Sequence, residues 1–306
     1  MSESFEHHES TLSRRQFLAA SLAAVGTTLV LAACGSEQQR SRVIGDPIDF
    51  SHLPDGPLHA KPWQYDVDPL TPTYNKEAQI YTKNQATIIH KHLVIEAIKT
   101  ATGYESSRIN TQGRFNFTHG TITAVAKLPE GVGTWPAIWL LPEEAETPKI
   151  LKSHGIANHP DSDPAYYAWG GEIDWLETVG AETHPVNNSP AVHTHRSVAA
   201  KNEAGISPFV QPVPDGQTKY HEYGLHKESG LLQFTLDGKV VHEVTRKDSD
   251  TLRDWPFDDY RYYVIANLAM GGTWGGELRN IYPPNGIDDS KAPWKFQIAE
   301  MHYQST

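Results

Sequence analysis

After residue 34 the chain carries no helix-length amphipathic pattern, and short segments of alternating apolar and polar residues recur instead. Successive side chains of a strand point to opposite faces, so this alternation is typical of strands with one face in a core. The clearest segments are 86–99, 120–128 and 231–244, and the sequence also predicts a buried strand over 260–270 and a last strand over 294–303. Inside 231–244, the dipeptide Asp237-Gly238 predicts a tight hairpin turn. The pattern predicts an all-β protein, an antiparallel β-sandwich of one domain.

The N-terminal 34 residues differ in composition from the rest. Arg14 and Arg15 precede a moderately apolar run from Phe17 to Ala33, which ends at Cys34. Its Ala, Gly and Thr content and its small-residue end argue against a permanent membrane-spanning helix, which is the alternative. The segment resembles a twin-arginine export signal that ends in a lipoprotein box. The resemblance implies a signal peptide over 1–33, lipid on Cys34, and a membrane-anchored protein facing the periplasm or the cell exterior.

The remaining sequence limits the partners of the chain. Residues 34–47 are polar and aperiodic, as in a lipidated tether, and 48–306 form the predicted β-sandwich domain. Cys34 is the only cysteine among 306 residues, so no disulfide forms within the chain and the fold relies on its core. The net charge of −11 argues against nucleic acid as a partner, which would need a basic surface, and suits a neutral substrate.

The stretch GGEIDWLETVG holds three carboxylates within six residues, Glu172, Asp174 and Glu177. A regular strand places Glu172 and Asp174 on one face, but Glu177 should point to the other. A β-bulge, in which Trp175 and Leu176 oppose one residue of the neighbouring strand, returns Glu177 to the face of the other two acids. The sequence therefore predicts a bulged strand with three acids on one side.

Two carboxyl groups on one side of a sheet can cleave a glycosidic bond with retention of configuration. One of them is ionised and attacks the anomeric carbon, and the other is protonated and assists the leaving oxygen. Neighbouring like charges raise the pKa of one group, and Asp174 between the glutamates can hold a shared proton. The alternative is an edge strand whose solvated acids prevent aggregation.

Several motifs in order resemble glycoside hydrolase family 16 in its laminarinase-like form, and GEIDWLE matches the family signature with its extra bulge residue. The other matching stretches are YNKEAQIYT, SSRINTQGRFNFTHG, KLPEGVGTWPAIWLLP, VHT, LDGK and NLAMGGTW. The resemblance covers 48–304 and implies a concanavalin-like jelly roll with a substrate cleft along its concave sheet. It also implies a retaining, endo-acting hydrolase of a β-linked polysaccharide, most often a β-1,3- or mixed-linked glucan or a galactan.

Carried over by position, the resemblance implies that Glu172 is the nucleophile, Asp174 the supporting acid and Glu177 the acid/base. It also implies sugar contacts from Asn75, Trp135, Trp139, His193, Asn267 and Trp274. Each of these has a structural alternative: the tryptophans can fill the core, and His193 can be a hydrogen-bonded residue of a sheet.

The chain departs from the family pattern at several positions. Thr123 and Val125 replace a Glu-x-Arg pair that contacts sugar beside the cleaved bond in relatives, so weak donor-side binding, or a substrate with different substituents there, is expected. Gln297 replaces an aspartate that belongs to a structural calcium site in many members, so no cofactor is expected, and structural calcium is the alternative. His193 and His195 alternate without a clear third ligand, so no metal site is predicted.

Two further functions stay open from the sequence. A surface lipoprotein that binds carbohydrate could keep the fold and its sugar platforms without turnover. A transglycosylase could use the same covalent intermediate as a hydrolase and transfer the sugar to another sugar instead of water. Both would have the same polysaccharide as partner.

Overall fold

The computed structural model describes residues 44–45, 48–67, 74–143, 170–180, 186–194, 205–249, 255–258, 260–273 and 286–306. All of them fall in one unit, Arg40–Thr306. Cys34 and the predicted export signal lie outside the described residues. Within the described ranges, no helix has the length and apolar character needed to cross a bilayer.

The described residues form twenty strands, numbered here in chain order. They are β1 (Ile44–Gly45), β2 (Gly56–Pro57), β3 (Gln64–Tyr65), β4 (Gln79–Tyr81), β5 (Ala86–Ile89), β6 (His92–Lys99), β7 (Tyr104–Ser106), β8 (Arg108–Asn110), β9 (Phe115–Asn116), β10 (Gly120–Lys127), β11 (Thr134–Pro142), β12 (Glu172–Glu177), β13 (Val186–Asn188), β14 (Ala191–His193), β15 (Gln211–Val213), β16 (His221–Glu228), β17 (Leu231–Leu236), β18 (Lys239–Thr245), β19 (Tyr262–Met270) and β20 (Trp294–Gln304). Short 3₁₀ turns cover Tyr74–Lys76, Arg246–Asp248 and Asp289–Lys291.

Two large sheets enclose the core. The first has ten strands, in the order β18-β17-β16-β10-β20-β6-β5-β2, with β7 beside β6 and β4 beside β7. The second has six strands in the order β14-β12-β11-β19-β8-β3. Among the described strands, only the β4–β7 pair is parallel. The predicted antiparallel β-sandwich is therefore confirmed.

The alternation in the sequence places the core. On β10, Ile122, Ala124 and Ala126 are fully buried, and the residues between them are only partly so. On β11 of the six-stranded sheet, Ile138 and Leu140 are also fully buried, and both sheets contribute to one apolar cluster. Each large apolar side chain buried in such a core stabilises the fold by about 1.5–3 kcal/mol.

Thr123 and Val125 lie far from the acids. They alternate with the core residues of β10, so they point to the outward face of the ten-stranded sheet, where Thr123 is paired with Gly224 and His302. The acidic strand β12 belongs to the other sheet. The expectation that these two residues weaken donor-side sugar binding is therefore wrong, because the alternation of β10 turns them away from the six-stranded sheet.

Tight turns connect neighbouring strands of the ten-stranded sheet. The predicted hairpin is present, with β17 and β18 joined through Asp237 (φ 51°) and Gly238 (φ 72°). Two successive positive φ values give a type I′ turn, whose twist matches that of the flanking strands. The segment 86–99 also folds as a hairpin, with β5 and β6 joined at His90 and Lys91, both at positive φ.

The residue before the acidic strand packs against a loop residue, Phe257, which is held in turn from the opposite sheet. Gly171 has φ +81°, and a Cβ at this position would overlap the ring of Phe257. The backbone carbonyl of Phe257 accepts a hydrogen bond from the ammonium of Lys227, a fully buried residue of β16. The hydroxyl of Tyr262 donates to the carbonyl of Gly170. These contacts hold the start of β12 in place.

Candidate active site

The acidic strand carries the predicted bulge. Glu177 is opposite Ala137 and Asp174 is opposite Trp139, although the two acids are three positions apart and their partners are only two positions apart. Trp175 is the extra residue, because Leu176 already opposes Ile138. Ala137 and Trp139 are two positions apart on β11 and share a face, so Asp174 and Glu177 share that face too. Glu172 is two residues before Asp174 and joins them.

The side chain of Asn188 holds the bulge. A bulge leaves backbone groups without partners in the ladder, and such groups are costly when buried. Here the backbone N–H of Glu177 donates to Asn188 Oδ1 at 2.9 Å, and Asn188 Nδ2 donates to the carbonyl of Trp175 at 3.3 Å. The N–H of Ser189 donates to the carbonyl of Glu177 at 2.9 Å. Sequence reasoning missed Asn188, since nothing in its local pattern links it to the acids.

The acids stand at one end of a polar floor that crosses the six-stranded sheet. One row of paired residues runs from Glu177 through Ala137 and Asn267 to Arg108. Its neighbour runs from Asp174 through Trp139 and Ile265 to Asn110 and Gln64. Strands are about 4.8 Å apart, so six strands span roughly 24 Å. A floor of this length can hold several sugar rings in a line across the strands.

Two tryptophans on the floor contact polar side chains. Trp135 Nε1 donates to Glu177 Oε1 at 2.9 Å, and Trp139 Nε1 donates to Asn267 Oδ1 at 2.8 Å. Trp135 is 9% exposed and its ring packs against Gly272, whereas Trp139 is partly exposed. The expectation that Trp135 and Trp139 share a face is confirmed. Trp139 is the one with a ring surface open to a sugar, and Trp135 orients Glu177.

Burial dominates the electrostatics of Glu172 and Glu177. It raises the pKa of Glu172 from 4.5 to about 8, and the charge of Glu177 adds to that rise. Burial also raises the pKa of Glu177 to about 7, where the hydrogen bond from Trp135 acts in the opposite direction. Both values lie near neutral pH, so a proton can move to or from this pair under ordinary conditions.

Asp174 lies between the two glutamates and is 4% exposed. Burial raises the pKa of Asp174 well above its usual range, and the charges of Glu172 and Glu177 raise it further. Burial and the charges of its neighbours therefore favour the protonated form of Asp174. A protonated carboxyl group can donate a hydrogen bond, so Asp174 can stabilise an ionised Glu172 beside it.

His193 lies on the strand next to the acids. It is paired with Glu172 across β12 and β14, and its Nε2 is 3.5 Å from Asp174 Oδ2, longer than a hydrogen bond. Burial lowers the pKa of His193 to about 4, so the imidazole is neutral at neutral pH. Three potential metal-ligand atoms lie within 4.8 Å of one another, one each from Glu172, Asp174 and His193. The sequence shows no clear third ligand to accompany His193 and His195, but the structure places two carboxylates beside His193.

Glu77 is a fourth carboxylate near the acids, which sequence reasoning did not single out. It accepts hydrogen bonds from Gln79 Nε2 at 2.7 Å and Tyr81 Oη at 3.3 Å. Burial raises the pKa of Glu77, while Gln79 and Arg108 act in the opposite direction. Its charge helps to raise the pKa of Glu177. Its position within the matched stretch YNKEAQIYT was the available signal.

The turn before Glu77 presents Asn75 to solvent. Asn75 and Lys76 both have positive φ, 66° and 56°, which is uncommon for two successive residues other than glycine. Asn75 is exposed and donates toward Glu77. The turn thus carries a polar amide beside the buried carboxylate. Trp274, the remaining predicted sugar contact, lies outside the described residues.

Gln297, the residue at the calcium position of relatives, lies on β20 of the ten-stranded sheet. Its Oε1 accepts a hydrogen bond from Tyr220 Oη at 3.0 Å. Tyr220 also lies near His92 Nδ1, 3.3 Å from its hydroxyl. The expectation that the chain needs no calcium stays a prediction.

The sequence and the fold both match known glycosidases. Residues 70–283 match the model of the family described as glycosyl hydrolases family 16. The chain is 30% identical to a β-glucanase of Rhodothermus marinus over 262 residues, which covers 82% of this chain and 80% of that protein. It is 28% identical to a keratan-sulfate endo-1,4-β-galactosidase of Sphingobacterium multivorum, over 58% of this chain and 36% of that protein.

A solved structure gives the same result for the fold. The chain matches the laminarinase from Flavobacterium sp. UMI-01 with a TM-score of 0.63 and 31% identity. The match covers 81% of this chain and 95% of the laminarinase.

Replacing Asn188 with Ala is expected to damage both stability and turnover. The change leaves the N–H of Glu177 and the carbonyl of Trp175 without the carboxamide, which should cost about 1–3 kcal/mol in the free energy of unfolding. Glu177 would shift with the bulge, and kcat should fall about 10- to 100-fold. Urea unfolding and hydrolysis kinetics measure the two effects. Asn187→Ala is the matched control, since Asn187 is exposed on the same strand, and it should change stability by no more than about 0.5 kcal/mol. Equal kcat in the two variants would contradict the role of Asn188.

Replacing Glu172 with Gln is expected to raise stability in a pH-dependent way. The pKa of Glu172 rises from 4.5 to about 8 on folding, so between these values the folded state holds a proton that the unfolded state has lost. Wild-type stability therefore falls as pH rises from about 4.5 to about 8. Glu172→Gln should melt at a higher temperature than the wild type at pH 8, and the difference should shrink toward pH 4.5. The exposed Glu130→Gln is the control. A difference that is constant across this pH range would refute the explanation.

Proposed function

This chain belongs to glycosyl hydrolases family 16, and from that premise we propose that it is a retaining, endo-acting hydrolase of β-1,3- or mixed-linked glucan. The observation that carries the proposal is the bulge at Trp175, which brings Glu172, Asp174 and Glu177 to one face of the six-stranded sheet. The polar floor continues from them across the sheet, so several sugars of a long chain can lie on the sheet beside the acids.

In the first step the ionised form of Glu172, which is the minor form below its pKa of about 8, attacks the anomeric carbon and forms a glycosyl ester. The bond from that carbon to the glycosidic oxygen breaks, and the oxygen takes a proton from Glu177. The hydrogen bond from Trp135 fixes Glu177 Oε1, so the other carboxyl oxygen is left to carry the proton. Asp174 in its protonated form carries no charge, so it limits the repulsion among the acids.

In the second step Glu177 is ionised and acts as a base. It removes a proton from water, the water oxygen attacks the anomeric carbon, and the ester bond to Glu172 breaks. Two displacements at one carbon restore the original configuration. The pKa of about 7 suits Glu177 to both roles, because it can give and take a proton near neutral pH.

The net charge of the chain favours a neutral polysaccharide. The whole chain has a net charge of −11. A sulfated chain would be repelled by this field, whereas a glucan carries no charge. The net charge therefore favours a glucan over keratan sulfate, the substrate in the name of the Sphingobacterium relative.

Separate substitutions distinguish the two glutamates. Glu172→Ala should abolish turnover on every substrate, because no covalent intermediate forms. Glu177→Ala should keep activity on an aryl glucoside oligomer with a good leaving group, which needs no proton, and azide should increase its rate and give product of retained configuration. Laminarin hydrolysis, aryl release and the configuration of the azide product are measured. Inverted azide product, or full activity in Glu172→Ala, would overturn the assignment.

The same assays separate the two alternative functions. A carbohydrate-binding protein without turnover predicts no reducing ends from laminarin with the wild type, and unchanged sugar binding in both variants. A transglycosylase predicts products longer than the starting oligosaccharide, formed in preference to hydrolysis. A product profile on laminarin, mixed-linked glucan and agarose also identifies the preferred linkage.

We also propose that the protein is exported and held on a membrane by lipid on Cys34. The support comes from the sequence alone, which has paired arginines, a moderately apolar run and the residues LAAC at its end. Residues 34–47 then act as a tether for the catalytic domain over 48–306. An anchored glucanase of this kind would act on polymer close to the cell surface.

Replacing Cys34 with Ala should release the protein from membranes without a change in kcat. A single acyl chain holds a protein only marginally, whereas two or more hold it firmly, so loss of the lipidated cysteine should move nearly all activity to the soluble fraction. Fractionation of cells that express each form measures this. A wild type that is already soluble, with no lipid mass on Cys34, would rule out the anchor.

A further inference from the structure

Glu172, Asp174 and His193 offer a convergent set of ligand atoms. Glu172 and Asp174 lie on one face of β12, and His193 is the cross-strand partner of Glu172 on β14. One oxygen from each acid and one imidazole nitrogen lie within 4.8 Å of one another. The sheet fixes the backbone of all three residues, so their convergence does not depend on a loop.

The chemistry and spacing of these atoms suit a transition metal. Zn²⁺ takes imidazole nitrogen and carboxylate oxygen at about 2.0–2.2 Å, so two ligand atoms of a tetrahedral site are roughly 3.5 Å apart. His193 Nε2 and Asp174 Oδ2 are 3.5 Å apart. The Glu172 oxygen lies within 4.8 Å of the other two ligand atoms, and rotation of its side chain can bring it closer.

The carboxylate of Asp174 is buried and is available to bind a metal ion. It is 4% exposed, and among the described residues no hydrogen bond to its carboxylate is present. The imidazole of His193, neutral in this setting, offers a lone pair. Three protein ligands with a fourth position open toward the cleft are the arrangement of an accessible zinc site.

We propose that Glu172, Asp174 and His193 bind one Zn²⁺ ion when the cleft holds no sugar. The ion would take the oxygen of Glu172 that attacks the substrate. Zinc would therefore be a reversible inhibitor that competes with the polysaccharide; this consequence rests on the proposed function, whereas binding of the ion does not.

A second histidine with two carboxylates provides the contrast. His221 has Asp215 Oδ1 at 2.9 Å from Nε2 and Asp237 Oδ2 at 2.9 Å from Nδ1. These oxygens lie on opposite edges of the ring and do not converge on one point. His221→Ala therefore removes a histidine with acidic neighbours and leaves the proposed site intact.

The test is calorimetric titration of ZnCl₂ into the full chain, purified without a polyhistidine tag. The variants are His193→Ala, Asp174→Asn, His221→Ala and Cys34→Ser, each checked by circular dichroism. Asp174→Asn keeps the shape of the side chain and covers the case in which His193→Ala fails to fold. Crystals soaked in ZnCl₂ should show an anomalous peak about 2.1 Å from His193 Nε2.

Wild type, His221→Ala and Cys34→Ser should bind one ion with the same affinity, and His193→Ala and Asp174→Asn should bind it at least about tenfold more weakly. Equal zinc binding in wild type and His193→Ala, or no binding, overturns the site. Binding that leaves laminarin hydrolysis by the wild type unchanged overturns the competition with substrate. A wild type that binds zinc but never hydrolyses laminarin contradicts the proposed function and leaves the metal site standing.

Discussion

Trp175 occupies a place in its strand that no residue of the neighbouring strand opposes, and the position of Glu177 follows from that insertion. Without it, a period of two would turn Glu177 into the core, where a charge would meet only apolar side chains. The insertion needs support, because it leaves backbone groups outside the ladder. Asn188 supplies it from the next segment of chain, with both ends of one carboxamide. The chemistry of the site thus depends on a hydrogen-bonded amide that never touches the substrate.

The acids are held together against their own repulsion. Burial alone raises the pKa of each, and the neighbouring charges raise those of Glu172 and Asp174 further. Protons shared within the group relieve part of this cost, and the indole N–H of Trp135 relieves another part at Glu177. The packing of the surrounding β-sandwich offsets the remaining free-energy cost. Its core joins both sheets, and the start of β12 is held from the far sheet through Lys227 and Phe257.

Sequence reasoning succeeded where a local pattern determines the structure. Alternation predicted β10, the apolar segment 260–270 predicted the buried strand β19, and the segment 294–303 predicted the last strand, β20. Asp237-Gly238 predicted a hairpin, and the spacing of the acids predicted the bulge. It failed where the answer depends on which sheet a strand joins. Thr123 follows the matched motifs closely in the chain, yet it lies on the far face of the other sheet. Asn188 and Glu77 reach the acids through tertiary packing, which no short stretch encodes. Likewise, the alternation of His193 and His195 in the sequence gave no indication that Glu172 and Asp174 lie beside His193.

The floor of the cleft runs across the strands, so consecutive sugars of a bound chain would each rest on a different strand. Asp174, Trp139, Ile265 and Asn110 are neighbours in space, yet they are scattered over the length of the chain. Recognition of one sugar can therefore be altered by substitution in one strand while the others keep their contacts. A lineage of such enzymes can change its preferred linkage or branching one position at a time, without rebuilding the fold.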